Sequence, residues 1–215
     1  VSPAFRLPQP SPNPNYAPGE TQTPPFPIRP ADFIEVDAKT TPKPAFYKVF
    51  ISSLVPRAGG LVSTISKDGN VANLAPYSFF NGMSFDPPVV VFCSVARPRL
   101  PGGMGNTHQN LVETGECVVN IISEWYAEAA NYGCGNFPFE VDEGSVAGLT
   151  TLPTTSPAFT SGVPRIAEAA VQMECTLDSL VDVKNDQGAV TSTMCVCRIR
   201  QIHINKAVYD EENGV

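Results

Sequence analysis

Hydrophobic residues in this chain occur in short runs separated by turn-forming residues, which is the pattern of a β-rich protein. Residues 60–66 predict a strand and residues 71–75 predict its return strand. Between them, residues 67–70 read Lys-Asp-Gly-Asn, and an Asp-Gly pair at this place is typical of a hairpin turn. The continuous apolar run 89–95 follows two prolines and predicts a strand that is buried on both faces.

Further strands are predicted in the second half of the chain. Residues 117–122 form another continuous apolar run. Residues 170–177 alternate between apolar and polar side chains, which predicts a strand with one buried face. Residues 190–200 and 201–204 are predicted either as two strands or as one long bent strand.

Helices are predicted to be few and short. Thr107 is expected to cap a helix that runs to residue 114 and stops at Gly115. Ser123 is expected to cap a second helix over residues 124–132. Because strands outnumber helices and the links between strands are short, the sequence predicts a mainly β fold. The expected architecture is a closed antiparallel β-barrel with a few short helices.

The first 44 residues differ in composition from the remainder. They hold 12 of the 22 prolines, which fix the backbone and cannot donate to a sheet. Residues 1–44 are therefore predicted to be an extended arm, and residues 45–215 to be the folded domain. Within that domain, residues 47–55 predict a short helix or strand, and residues 134–165 predict a long loop-rich segment.

Charge and composition exclude some classes of function. The chain has 215 residues, of which 42% are hydrophobic, so a sizeable core is available. Its formal net charge of −7 argues against nucleic acid or a membrane surface as the partner, because both need a basic face. No apolar run approaches the roughly 18–20 residues of a membrane span, and a cytoplasmic location is expected.

Cysteine and histidine usage points to packing and not to metal binding. The two histidines, His108 and His203, lack ligand spacing, so no metal site is predicted. Cys195 and Cys197 alternate along one strand and should share a face. Free buried thiols are the expectation for the six cysteines, which are Cys93, Cys117, Cys134, Cys175, Cys195 and Cys197.

Hydroxyl and amide side chains recur at the predicted ends of strands and at the start of a helix. These are Ser63, Thr64, Ser78, Ser94, Asn106 and Thr107. Arg57, Arg97 and Arg99 lie near them in sequence and could form charge-assisted bonds. A helix N-terminus also offers unpaired N–H groups to a phosphate. The glycine-rich signatures of dinucleotide and P-loop sites are absent, so this pattern alone indicates some phosphate-bearing ligand.

Several ordered motifs resemble the flavin reductase-like proteins, whose fold is an FMN-binding split barrel. They cover roughly residues 45–205. The motifs are Pro56-Arg57, Leu61-Val62-Ser63-Thr64, Asn73-Leu74-Ala75-Pro76-Tyr77-Ser78-Phe79-Phe80, Asp86-Pro87-Pro88, Thr114-Gly115-Glu116-Cys117-Val118-Val119-Asn120, Asp142-Glu143, Ala147-Gly148-Leu149-Thr150 and Glu174-Cys175.

The resemblance implies a set of cofactor-binding residues. The ribityl phosphate would lie among Ser63, Thr64, Ser78, Ser94, Asn106 and Thr107, with Arg57 and Arg99 as neighbouring cations. Asn73, Leu74 and Ala75 would run along the isoalloxazine ring and bond its polar edge, largely through the backbone. Where relatives read Lys-Asp-Thr, this chain has Gly105-Asn106-Thr107, so Arg97 or Arg99 is expected to replace the lysine.

The resemblance further implies an FMN-binding oxidoreductase, with FAD as the other possible flavin. The first hypothesis is an NAD(P)H-dependent flavin reductase that acts as a homodimer, with the flavin near the interface. Two alternatives stay open: an FMN-dependent oxidoreductase acting on an organic substrate, and a flavin-binding electron carrier without turnover. No catalytic side chain is assigned, because a flavin carries its own redox chemistry. His203 is either an ordinary strand residue or helps to position a nicotinamide.

Overall fold

The computed structural model describes residues 15, 17–19, 29–97, 103–135 and 137–211. The chain divides after Val55 into two compact units, and each is described by itself. The predicted boundary after residue 44 remains a prediction. None of the helices in the described part of the chain is long and apolar enough to cross a membrane.

Among the described residues of the first unit there is one α-helix. Helix α1 is Lys43–Ser53, so the helical alternative for this region is confirmed. The rings of Phe46 and Phe50, one turn apart, stack with centroids 6.5 Å apart. Before the helix, Arg29 and Asp32 form an exposed ion pair at 2.9 Å across a 3-10 turn, Pro30–Asp32.

The second unit is built on an antiparallel sheet of seven strands. Its order is β2-β1-β5-β8-β9-β4-β3, and a separate two-stranded sheet pairs β6 with β7. The strands are β1 Gly60–Ile65, β2 Ala72–Tyr77, β3 Phe80–Phe85, β4 Pro88–Val95, β5 Glu116–Ile121, β6 Thr151–Leu152, β7 Arg165–Ile166, β8 Val171–Lys184 and β9 Val190–Ile204. The 201–204 segment therefore continues one long strand, and β3 was not predicted from the sequence.

The large sheet is strongly curled but not closed. Its end strands β2 and β3 are joined only by Ser78 and Phe79. Three Cα–Cα steps span at most about 11 Å, whereas the end strands of a flat seven-stranded sheet would lie about 29 Å apart. The sheet must therefore bend until its two end strands meet at this corner. The mainly β, antiparallel fold is confirmed, but no ladder of hydrogen bonds closes the barrel within the described residues.

The inner face of the curled sheet holds an apolar core. Its fully buried members come from alternate positions of the strands and from one helix: Val62, Val90, Phe92, Leu111, Cys117, Val119, Cys175, Cys195 and Cys197. All six cysteines are free thiols, and four of them are buried here. Cys195 and Cys197 share this face, as predicted. Burial raises the pKa of the Cys195 thiol to about 12, so this thiol stays protonated and packs as a small apolar group.

The outer face of β1, β5 and β8 is covered by the segment 149–169. Val163 packs there against Ile65 and Val118. Carboxylates from the strands hold the backbone of this segment. Glu116 accepts from the N–H groups of Thr160 and Ser161, at 2.9 and 3.0 Å. A segment with little regular structure is fixed in this way, because strand carboxylates satisfy its N–H groups.

Four short α-helices occur in the described part of the chain, counting α1 of the first unit. The other three are α2 Asn106–Thr114, α3 Ala127–Tyr132 and α4 Glu143–Val146. Helix α2 ends as predicted at Gly115, which has a left-handed φ of 72°. Its N-cap is Gly105, so the capping role predicted for Thr107 is wrong. The second predicted helix begins as a 3-10 turn, Glu124–Tyr126, and the side chain of Ser123 makes no capping bond.

Candidate functional site

A buried polar cluster lies on the inner face, at the end of β1 and beneath α2. Thr64 is fully buried, and its Oγ1 accepts from the Nδ2 atoms of Asn73 and Asn110, both at 3.2 Å. Asn73 Nδ2 also donates to Oγ1 of Thr107 at 2.8 Å. Thr64 and Asn73 face each other across the β1–β2 ladder, so register brings them together. We call Thr64, Asn73, Thr107 and Asn110 the inner cluster.

Tyr77 and Ser94 extend the inner cluster toward β4. The Tyr77 hydroxyl interacts with Thr107 and Ser94, and its ring packs on Phe92 at 4.7 Å between centroids. Burial raises the pKa of Tyr77 to about 12. This effect of burial is larger than the lowering of the pKa by Thr107, Ser94 and Arg97. The phenol therefore stays protonated at neutral pH and serves as a hydrogen-bond donor.

Arg97 lies against the first turn of α2. Its backbone N–H donates to the carbonyl of Gly103 at 2.7 Å. A Cβ added to Gly105 would lie 3.6 Å from Arg97 Nε, so the guanidinium is next to the N-cap. A helix N-terminus carries a partial positive charge. Two positive groups are thus placed side by side at the edge of a hydroxyl-rich cluster, an arrangement that an anion would stabilise.

The structure brings four of the sequence-predicted residues together: Thr64, Asn73, Ser94 and Thr107. Asn106 is the first residue of α2, next to Gly105. Ser63 is separated from this group, because neighbouring residues of a strand point to opposite faces. Its hydroxyl is buried on the outer face, where it donates to the carbonyl of Pro164 at 2.5 Å.

Arg57 and Ser78 lie at the other end of the β1–β2 pair. The Arg57 guanidinium carbon is 5.8 Å from the centroid of the Phe79 ring, within range of a cation–π interaction. Its Nη1 atom is buried and has no hydrogen-bond partner among the described residues. Ser78 is exposed in the two-residue link between β2 and β3. Arg99 lies outside the described residues, so its predicted role stays a prediction.

The backbone of β2 is partly engaged already. Leu74 N donates to Glu143 Oε2 at 3.1 Å, and the Leu74 side chain packs on the outer face. Ala75 lies opposite Val62. Glu143 is itself buried, and burial raises the pKa of its carboxyl, while the charge of Arg97 opposes that shift. Bonding of a ring by the backbone of residues 73–75 stays a prediction, and Leu74 N would have to be shared with Glu143.

Sequence reasoning missed three members of this region: Tyr77, Asn110 and Glu143. Two signals could have found the first two. Tyr77 is two and four residues from Ala75 and Asn73, so it shares their face of the strand. Asn110 is three residues after Thr107, so it shares that face of the helix. Only the folded chain brings Glu143 to Leu74, 69 positions away in sequence.

A curled antiparallel sheet with a hydroxyl-lined, locally cationic site has the geometry that would suit an anionic ligand at one end of a barrel-like fold. The family can be stated more closely, because the model of the flavin reductase like domain matches residues 52–213, and the chain belongs to this family. The uncharacterized protein YwrF of Bacillus subtilis is 35% identical over 168 residues, which cover 78% of each chain.

Solved structures agree with this assignment. Nitrilotriacetate monooxygenase component B from Bacillus cereus superposes with a TM-score of 0.74 at 27% identity, covering 83% of this chain and 85% of that one. The 2-nitrobenzoate 2-nitroreductase NbaA of Pseudomonas fluorescens gives 0.70 at 27% identity, covering 85% and 82%. A Shewanella frigidimarina protein with a split barrel domain gives 0.62 at 19% identity, covering 77% and 76%, and supports the fold alone. Membership of the family implies a flavoprotein oxidoreductase.

Proposed function

We propose that this protein is an NAD(P)H-dependent flavin reductase that binds FMN, with its phosphate at the start of α2. The observation that carries the proposal is the position of Arg97, whose guanidinium lies beside the N-cap Gly105. We assign to Arg97 the cationic role that the resemblance gives to a lysine before the helix; Arg99, the other candidate, lies outside the described residues. Charge-assisted bonds from a guanidinium suit a phosphate well.

The residues around α2 fit a flavin phosphate. Thr107 and Ser94 offer hydroxyls, and Gly105 leaves room that a Cβ would reduce. The bound flavin would supply the redox chemistry, taking electrons from a nicotinamide and passing them to a small-molecule acceptor. The protein's own residues then have three tasks: to hold the phosphate, to orient the ring along β2 and to exclude water.

The activity is tested by anaerobic titration of the FMN-loaded protein with NADH and with NADPH. Bleaching of the flavin absorbance by either nucleotide, followed by recovery on adding an electron acceptor, is the expected result. If neither nucleotide bleaches the flavin, the proposed reductase activity is wrong. The same titration identifies the preferred nucleotide.

Replacing Arg97 tests the phosphate assignment directly. We expect Arg97→Gln to weaken FMN binding about tenfold or more, because a charge-assisted bond contributes roughly 1.5–3 kcal/mol. Riboflavin, which lacks the phosphate, should bind the variant and the wild type equally. Both affinities can be measured by quenching of flavin fluorescence.

Lys67→Gln is the matched control, since it removes one positive charge from the exposed turn between β1 and β2. This variant should bind FMN like the wild type. Equal weakening of FMN and riboflavin in Arg97→Gln would contradict a phosphate contact and indicate a general disturbance of the site.

A second candidate is an FMN-dependent oxidoreductase that reduces an organic substrate. The similarity to the 2-nitrobenzoate 2-nitroreductase favours it, because that structure covers 85% of this chain. Assaying the reduced protein with a nitroaromatic acid and with free FMN as competing acceptors separates the two candidates. A flavin-binding electron carrier without turnover would show neither activity in steady state.

We also propose a homodimer with the flavin near its interface. Large apolar side chains are exposed on β3, where Phe85 is 93% and Met83 is 62% accessible. Exposed apolar side chains of this kind often mark a subunit interface. FAD instead of FMN remains the alternative cofactor. The cytoplasmic location expected from the sequence remains a prediction.

A further inference from the structure

Arg57 is a half-buried cation whose hydrogen-bonding capacity is not met by the described residues. Its Nη1 atom is inaccessible to solvent and has no hydrogen-bond partner among them. None of the ion pairs formed between described residues includes Arg57. Leaving a buried N–H group without an acceptor costs free energy, and the cost is greatest on a charged group. An acceptor from a ligand would remove this cost.

The backbone that carries Arg57 is fixed between two strands. Ile122 N donates to the carbonyl of Gly59 at 2.9 Å. The next residue, Gly60, begins β1 and pairs with Tyr77 of β2. Arg57 therefore has a defined position just before β1, and its side chain starts from an ordered part of the fold.

The flat face of the Arg57 guanidinium is in contact with an aromatic ring. Its central carbon lies 5.8 Å from the centroid of Phe79, within the range of a cation–π interaction. Stacking uses the face of a guanidinium, whereas its N–H bonds point outward in the plane of the group. The ring of Phe79 thus orients the guanidinium and leaves N–H groups for an acceptor at its edge.

The contact between Arg57 and Phe79 is connected to the inner cluster through β2 and β4. Tyr77 lies two residues before Phe79, and its hydroxyl interacts with Ser94. The carbonyl of Phe79 accepts from Cys93 N at 3.0 Å, and Cys93 is the residue before Ser94. Arg57 therefore lies at one end of the same strand whose other end belongs to the inner cluster.

The two ends of β2 suit the two ends of an elongated flavin. Asn73 of the inner cluster and Tyr77 are four residues apart, which is about 13 Å along an extended strand. A flavin carries its phosphate at one end and the carbonyl edge of its ring system at the other. With the phosphate at the start of α2, a ring that lies along β2 directs its carbonyl edge toward the corner at Ser78 and Phe79.

We propose that Arg57 binds the carbonyl edge of the flavin ring and stabilises the negative charge that this edge gains on reduction. This inference rests on the proposed function. A hydride from the nicotinamide brings two electrons and one proton to a neutral ring, so the reduced ring carries one negative charge. A guanidinium at this edge stabilises the reduced ring more than the oxidised ring. The resemblance had placed Arg57 near the phosphate, at the opposite end of the cofactor.

The first test compares the binding of FMN and riboflavin, measured by quenching of flavin fluorescence. Arg57→Gln should weaken both flavins by the same factor, about tenfold, because riboflavin keeps the ring and lacks only the phosphate. Arg97→Gln should weaken FMN alone. Lys67→Gln removes the same charge from a distant turn and should bind both flavins like the wild type.

Two outcomes of this comparison would overturn the ring contact. A loss confined to FMN in Arg57→Gln would assign Arg57 to the phosphate. Unchanged binding of both flavins would show that Arg57 does not contact the cofactor.

The second test measures the reduction potential of the bound FMN against a reference dye, with dithionite as the reductant. If Arg57→Gln loses tenfold more affinity for reduced than for oxidised FMN, its potential should be about 30 mV below that of the wild type. Arg57→Lys keeps the charge and should restore most of this difference. An unchanged potential in Arg57→Gln would overturn the proposal, because a merely structural role weakens the binding of both forms alike.

This measurement is independent of the proposed electron donor, because dithionite replaces the nicotinamide. A wild type that neither NADH nor NADPH reduces would contradict the reductase activity. The potentials of the wild type and Arg57→Gln would still decide the role of Arg57.

Discussion

At the scale of single residues, buried carboxylates fix irregular segments of the chain to the sheet by accepting hydrogen bonds from their backbone N–H groups. Glu174 is fully buried on the outer face. It accepts from the N–H groups of Thr155 and Ser156, at 2.9 and 2.8 Å, and from His203 Nε2 at 2.8 Å. Burial alone would raise the pKa of Glu174, but these hydrogen bonds together hold it below its usual range. The carboxylate thus stays ionised and fixes the covering segment to β8.

Glu174→Gln should destabilise the protein by about 1–3 kcal/mol at neutral pH, because an amide cannot accept all of these bonds and leaves buried donors unpaired. Since the pKa of Glu174 is lower in the folded than in the unfolded state, its contribution is complete above about pH 4.3, the ordinary value for glutamate. The contribution is lost as the pH falls through the folded-state pKa. Urea unfolding at neutral and acidic pH measures both effects.

Glu140→Gln is the control, since Glu140 is exposed. Its free energy of unfolding should match that of the wild type throughout. A difference between Glu174→Gln and the wild type that stays constant down to the most acidic pH would contradict the assigned pKa shift.

At the scale of elements, helix α2 depends on its two ends. Its start lies beside Arg97, and its body carries Thr107 and Asn110 into the inner cluster. Its end is fixed by Gly115, whose N–H donates to the carbonyl of Leu111 at 2.9 Å. A left-handed φ of 72° at Gly115 lets the chain turn directly into β5.

Gly115→Ala should cost about 1–2 kcal/mol of stability, because an L residue is strained in the left-handed region. Nothing lies within 4 Å of the added Cβ, so the cost comes from the backbone and not from a clash. Thermal unfolding measures the effect.

Gly82→Ala gives the matched comparison. Its added Cβ also meets nothing within 4 Å, but Gly82 is not one of the glycines with a positive φ. This variant should be as stable as the wild type or slightly more so. Equal destabilisation of both variants would show that backbone strain at Gly115 is not the cause.

At the scale of the whole molecule, the second unit leaves much apolar surface uncovered. The exposed residues lie on β3 and on the far parts of β8 and β9, where Val181 and Val190 are 43% and 37% accessible. From residue 178 onward β8 has a partner on one side only, because β5 pairs with residues 172–176. Free edges and apolar side chains together favour association with another chain.

Light scattering coupled to size exclusion should therefore give a particle of twice the 23.0 kDa of the chain at micromolar concentration. Val181→Asp should shift the particle toward the monomer, because it would place a charge in the contact. A monomeric wild type would contradict the proposed dimer.

A large part of the fold could be predicted from the chain itself. Strands β1, β4 and β5 followed from apolar runs, and the β1–β2 turn followed from its Asp-Gly pair. Strand β3 was not predicted, because Asn81, Gly82 and Ser84 give it no apolar periodicity. Its place at the sheet edge leaves it largely exposed. The C-terminal end of α2 could be predicted from Gly115. Its N-terminal start could not, because the N-cap residue Gly105 has no side chain that would mark it.

The candidate site was only partly predictable for the same physical reason. Local pattern placed hydroxyls near strand ends, and the ordered motifs indicated a flavin reductase-like protein. Neither could separate Ser63 from Thr64, which point to opposite faces, or show that the first bonds Pro164 and the second bonds Asn73. That choice depends on which face of β1 meets the covering segment.

The sequence by itself determined the β-rich class, the hairpin at residues 67–70, the family and the set of polar residues from which the site is built. These depend on local backbone preferences and on ordered motifs, both of which are properties of the chain. Tertiary structure decided which of those polar residues meet. It placed Arg97 beside the N-cap of α2 and Glu143 beside Leu74, because contacts between residues distant in sequence arise only when the sheet curls and the helices pack against it.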